Sequence, residues 1–288
     1  MKLSRALLLA LFAAGCSDSA RSPIAPEDPS ATFGLSGVVW VINSNDVGPG
    51  SFRKAVDQAN SSSSVRRIYF RPNLPAVQLQ TPVVYTGTHY LEVQGNGGTL
   101  DGSALGALET NFLANGGGDL EIAGLTVRDA PGHGLMVQVP SGATGGTQKV
   151  VFRNFKAIDN LGHGVEINDQ EDPEDVGNAD PAEGPVVRGN SNGSGASLEV
   201  LVTGSLFKGN GFGEVDRDGL RINEGGAGNL KVSVLLSRAD DNGADGVELD
   251  ERGEGSVDFF ITGSHFARNG NFDIVPPIDK DDGVDVDE

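Results

Sequence analysis

Five residues able to move protons or hold a metal stand immediately before a glycine: His133, His163, Asp218, Asp245 and Asp282. Histidine and aspartate are ligand and acid–base types, so two histidines and three aspartates in one row could form a line of ligands. The same residue types are common ahead of Gly in tight turns for backbone reasons alone, which makes the turn the first explanation. Three residues after Asp218, in "DGLRINEGG", comes Arg221. A further acidic set comprises Asp169, Glu171, Asp172, Glu174 and Asp175 together with Glu224, Asp250, Glu251 and Glu254. Carboxylates crowded without basic partners must be solvated, protonated or bridged by a hard cation such as calcium, which takes about six to eight oxygen ligands. Asp169, Glu171, Asp172, Glu224, Asp250 and Glu251 are therefore candidate calcium ligands. No D-x-[DN]-x-[DN]-G loop is present, and no Ser-His-Asp order, zinc spacing or phosphate loop occurs.

The elements that must position these residues repeat. "HGVEINDQE", "DGLRINEGG", "DGVELDERG" and "DGVDVDE" are variants of one strand, and their glycines, with that of "HGLMVQ", lie 27 to 55 residues apart. Each copy follows an alternating strand, a short second strand and a turn, the pattern of one solenoid coil with inserted loops. In this register Asn160, Asn210, Asn242 and Asn269 share a column at a bend, as in an asparagine ladder. Alternation sends Val165, Ile167, Leu220, Ile222, Val247, Leu249, Val284 and Val286 inward. The residues between them, Met136, Glu166, Arg221, Glu248 and Asp285, and Gln138, Asn168, Asn223, Asp250 and Asp287, are expected to face water. Arg221 then sits between Glu166 and Glu248, either as a rung of an exposed charge ladder, each pair contributing about 0.2 to 1 kcal/mol, or as a cation reserved for an acidic sugar.

Composition narrows the function. The chain of 288 residues carries 42 glycines, 6% aromatics and a net charge of −19, which suits one Gly-punctuated all-β domain and disfavours nucleic acid or an anionic membrane as partners. Residues 1–15 hold Lys2, Arg5 and an apolar run too short to span a bilayer, an export signal. The only cysteine, Cys16, follows at once in "AAGC", which resembles a bacterial lipobox with Ala13 in place of the more usual Leu. That resemblance implies cleavage before Cys16, lipidation of its thiol and, with Ser17 next, an outer-membrane or cell-surface location. The alternative is a plain signal peptide cut near Ala14 or Gly15, giving a periplasmic or secreted protein. With Cys16 consumed no intramolecular disulfide can form. Residues 16–36 are a polar tether, 37–288 the domain, and 169–197 its largest inserted loop.

"VINSNDVGPGSFRKAVDQAN" holds a strand, a turn and a helix capped by Ser51, with Phe52, Ala55, Val56 and Ala59 on one face. It resembles the N-terminal cap of secreted bacterial right-handed parallel β-helix proteins and implies that architecture. "GHG" at residues 132–134 and 162–164 and "GLRIN" from Gly219 resemble motifs of polygalacturonase-type glycoside hydrolases, also right-handed β-helices. The resemblance implies His163 as active-site histidine and Arg221 as substrate arginine. It departs in lacking the acidic pairs upstream of the histidine; Asp159 stands alone there, and Asp240–Asp241 follows "GLRIN" in the wrong order, so hydrolysis lacks its acid and base. A lyase using Arg221 as base beside a calcium-bound uronate needs no such pair. The expectation is a non-catalytic surface module for polysaccharide, matrix or cations, with calcium the one cofactor considered and a lyase or hydrolase as the alternative. The charges of Asp285, Asp287 and Glu288 on the last strand oppose edge pairing and predict a monomer.

Overall fold

The computed structural model describes residues 37–169, 193–213, 216–270 and 283–287. Their strands stack into three parallel sheets, one of eight strands and two of seven, with each strand paired to its counterparts in the coils before and after. The first sheet runs from Val38–Val41 to Val257–Thr262, the second from Val77–Gln78 to His265–Ala267, and the third from Val83–Tyr85 to Val284–Asp287. This is a parallel β-helix. The coils begin well before the first repeated "HG": Arg67–Phe70, Val77–Gln78 and Val83–Tyr85 already form one strand of each sheet. The helix Phe52–Ser61 starts where expected, with Ser51 Oγ accepting from Lys54 N at 3.2 Å, and buries Phe52, Ala55, Val56 and Ala59. Phe52 meets Phe70 and Phe112 at ring centroids of 5.2 and 5.5 Å, closing one end of the core.

Corners are where a solenoid is weak, because the backbone leaves the sheet and its N–H groups lose their inter-strand partners. Each corner meets that cost with a column of side chains. After the first sheet, Phe155 N, Ser205 N and Ser237 N donate to Ser205, Ser237 and Ser264 Oγ at 3.1–3.2 Å. After the second, Asn160, Asn210 and Asn242 each donate backbone N and Nδ2 to Oδ1 of the next asparagine, at 2.8–3.2 Å. The residue before each of these asparagines, Asp159, Gly209, Asp241 or Arg268, has φ between 55° and 67°, so the chain enters the ladder through a left-handed bend.

Candidate functional site

The His/Asp column lies in the same turn as the asparagines, just ahead of the third sheet, and its chemistry is the same as that of the serine and asparagine columns. His163 N donates to His133 Nδ1 at 3.0 Å, Asp218 N to His163 Nδ1 at 2.8 Å, and Asp245 N to Asp218 Oδ1 at 2.8 Å. Histidine and aspartate interchange here because both place an acceptor one coil away from a turn N–H. The rings of His133 and His163 stack at 5.1 Å. Burial pushes His163 down to about 4 and His133 well below its usual range, so both are neutral near pH 7. Asp282, assigned to the same column, lies outside the described residues.

Those hydrogen bonds also decide against metal binding by the histidines. His133, His163 and Glu166 are close enough to share an ion. A metal-bound imidazole, however, donates the N–H of its other nitrogen. Here Nδ1 of each ring receives a backbone N–H. His133 Nε2 meets Glu166 Oε2 at 3.3 Å, so the proton of that neutral ring sits on Nε2. At His163 both nitrogens are already engaged, Nδ1 by Asp218 N and, at 3.3 Å, Asp218 Oδ2, and Nε2 by the Arg217 Nη1 donor at 3.3 Å.

Arg221 is the centre of the next cluster. The register places it between Glu166 and Glu248 as expected. Its exposure differs: Glu166, Asn168, Arg221, Asn223, Glu248 and Asp250, expected to face water, are buried, Arg221 being 4% exposed. Outward in register is not outward in exposure, because these long side chains lie across one another between coils. Arg221 Nη1 meets Glu248 Oε2 at 2.5 Å and Asp216 and Asp218 Oδ2 at 3.3 Å; Nη2 meets Asp250 Oδ2 at 2.8 Å and Nε donates to Asn223 Oδ1 at 3.2 Å. Asp216, Asp218 and Glu248 could otherwise hold a metal. The guanidinium already takes that position.

One guanidinium facing four acids leaves an excess of negative charge, and protons relieve it. Burial, with Asp218 beside it, pushes Glu248 up to about 12 despite Arg221, and burial raises Asp216 to about 6. Burial also works against the charge of Asp218, but the His163 ring and Arg221 outweigh it and hold Asp218 at about 2. A protonated Glu248 can then donate to the Asp218 carboxylate. Arg221 itself is desolvated, yet Glu248, Asp218, Asp250 and Asp216 raise its pKa well above the usual value, the direction opposite to that of a base. Arg221 is thus neither exposed nor easily deprotonated.

The four proposed calcium ligands among the described residues are divided by strand alternation. Asp250 is on the outward side, paired with Arg221 and, at 3.1 Å, with Arg252. Asp169, Glu224 and Glu251 share the parity of Val165, Ile167 and their equivalents, and stack in register on the core side of Val165–Asp169, Leu220–Glu224 and Val247–Glu251. All three are buried rather than part of a solvated loop. Glu171, Asp172, Glu174, Asp175 and the lipidation candidate Cys16 lie outside the described residues. Sequence reading places exits from the third strand at Glu224 and Glu251 but missed the serine column and the Glu-x-Gly-x-Gly spacing of "EGGAG" and "ERGEG", although both recur visibly in the aligned coils.

Searches of protein-family models, curated proteins and solved structures find no match to this chain. The class it belongs to is defined by its own architecture, a parallel β-helix whose corners are held by side-chain ladders.

Proposed function

We propose that the protein is a non-catalytic binding module that engages polysaccharide or matrix along the outward face of its first sheet, with an exported, Cys16-anchored surface location. The observation that carries this reading is the make-up of that face. It is a flat array of paired charges: Arg67 with Glu92 at 3.0 Å, Arg153 with Glu121 at 3.0 Å, and Glu199 between Lys149 at 2.7 Å and Lys231 at 3.7 Å. At its N-terminal end Trp40 and Tyr69, on adjacent strands, pack edge to face at 5.4 Å, both partly exposed, and Tyr90 reaches Glu121 at 3.2 Å. The chain's single Trp and two of its three Tyr residues are thus gathered where an extended sugar chain could stack and hydrogen-bond. By contrast, His163 and Arg221 are committed to holding coils together.

Binding to neutral and acidic polysaccharides, measured with the full chain, should show at least one ligand whose affinity falls about tenfold or more in Trp40→Ala/Tyr69→Ala, each lost stacking contact being worth about 1 kcal/mol. Release of unsaturated or reducing products by the native protein, abolished in Arg221→Lys, would sink the non-catalytic reading. Anchoring is tested separately. Cys16→Ser should move the protein from the membrane to the soluble fraction, and unchanged membrane association would contradict lipidation.

A further inference from the structure

A sheet face that binds polysaccharide selects by charge, and the cations of this one are already engaged. Arg67 faces Glu92, Arg153 faces Glu121, and Glu199 lies between Lys149 and Lys231, so each Lys or Arg on the outward side of the first sheet's strands has a carboxylate partner. The register sets Asp258 beside Lys231 as well. A uronate or sulfate would have to displace these carboxylates, on a chain whose net charge of −19 already repels it. An uncharged polymer meets neither obstacle.

The same pairs leave defined donors and acceptors for hydroxyl groups. Arg67 and Arg153 each meet their glutamate through Nε at 3.0 Å, which leaves Nη1 and Nη2 of both to water or a ligand. A guanidinium held at Nε presents those donors in a fixed plane, a fork that can reach two adjacent hydroxyls. Gln94 Nε2 donates to Glu92 at 2.8 Å and Tyr90 Oη to Glu121 at 3.2 Å, so the acceptors are held too. Across five successive strands Trp40, Tyr69, Gln94, Ala123 and Arg153 form one outward column. At about 4.8 Å per strand the column is about 19 Å long. Aromatic rings stand at one end, the Arg153 fork at the other, and the short side chain of Ala123 lies between them. Trp40 Nε1, although covered, has no acceptor, and its packing against Tyr69 supplies none.

Resting on the surface reading above, we propose that the ligand is a neutral polysaccharide lying along the solenoid axis, across the strands from Trp40 and Tyr69 to Arg153. Arg67 and Arg153 set its specificity by offering their Nη groups to hydroxyl pairs. Such contacts are hydrogen bonds and stacking rather than ion pairs, so salt should hardly alter them.

The test is isothermal titration of the full chain with cellohexaose, xylohexaose and mannohexaose, against oligogalacturonate and alginate. At least one neutral hexasaccharide should bind, more tightly than either acidic ligand, with an affinity that changes by less than about twofold between about 0.05 and 0.5 M salt. Arg153→Lys keeps the charge but removes the fork, and should weaken that ligand about tenfold, while Arg268→Lys, at the corner after the second sheet, leaves it within about twofold. Both variants should melt like the native chain, since each alters only an exposed pair. Preferred binding of an acidic ligand that weakens with salt and is lost in Trp40→Ala/Tyr69→Ala overturns the neutral class and leaves the surface reading standing. Native-like affinity for the neutral ligand in Arg153→Lys overturns the role of the arginine fork. No binding of any neutral hexasaccharide overturns the proposal, and the broader panel above then decides whether the face binds polysaccharide at all.

Discussion

Arg221→Ala is expected to destabilise the protein by about 3–5 kcal/mol at pH 7, far more than an exposed ladder rung would cost. Removing one partner of a buried ion pair leaves the other charge desolvated and uncompensated. Here it leaves Asp218, 0% exposed, without its guanidinium, and Asp250, also 0% exposed, with only Arg252. Without the guanidinium the folded pKa of Asp218, held at about 2 in the native chain, rises, so the folded state binds more protons. By linkage the deficit is smallest below about pH 2, where Asp218 is protonated in both chains, and grows as pH rises through the carboxyl range toward the raised pKa of the variant. Arg221→Lys should fall between, because an ammonium cannot reach Glu248 and Asp250 with separate donors as Nη1 and Nη2 do. Urea denaturation at pH 7 and pH 5 would measure both effects. A loss under about 1 kcal/mol with no pH dependence would return Arg221 to the status of a solvated surface charge.

Asn210→Ala should cost a similar amount, about 3–5 kcal/mol, through neutral groups alone. Asn210 Oδ1 accepts from both Asn160 N and Asn160 Nδ2, and its Nδ2 reaches Asn242 Oδ1 at 3.1 Å and Ala157 O at 3.1 Å. Alanine removes all of these at a buried site that offers no other partner, and each orphaned group costs about 1–3 kcal/mol before relaxation. The loss should depend on position in the column. Asn269, at the end of the described ladder and only part-buried, receives Asn242 N and Nδ2, so Asn269→Ala should cost less than Asn210→Ala. Equal losses at the two positions, or a loss under about 1 kcal/mol at Asn210, would show that the ladder carries little of the fold's stability.

The coils from Val150 onward were legible because three signals coincide in them, period-two alternation, the Gly opening the third strand and Asn at one bend; the coil from Leu120 has the first two, with Ala130 at the bend. The coils built from Arg67 to Ala114 carry the alternation but have no "HG" or "DG" opening the third strand, and their strands are as short as Val77–Gln78. Two residues cannot display a period. The left-handed residues before the asparagines were hidden for a different reason: Asp159, Gly209, Asp241 and Arg268 share a φ but no side-chain chemistry. At that position the bend selects a backbone conformation, and Asp, Gly and Arg each adopt it.

What the sequence determined by itself is the architecture and the register, since both follow from local periodicity and from columns of residues that need their equivalents one coil away. Arg221 was placed between Glu166 and Glu248 on that basis, and the pairing is as expected. Only the tertiary structure decided what those residues experience. Alternation says which side of a strand a residue occupies, but not whether that side is wet; Arg221 and Glu248 proved buried on the outward side, and Asp169 and Glu224 buried on the inward one. Nor could residue types distinguish a histidine that offers a lone pair to an ion from one that has already given it to a turn N–H. Burial and the direction of each hydrogen bond are properties of the neighbouring coil.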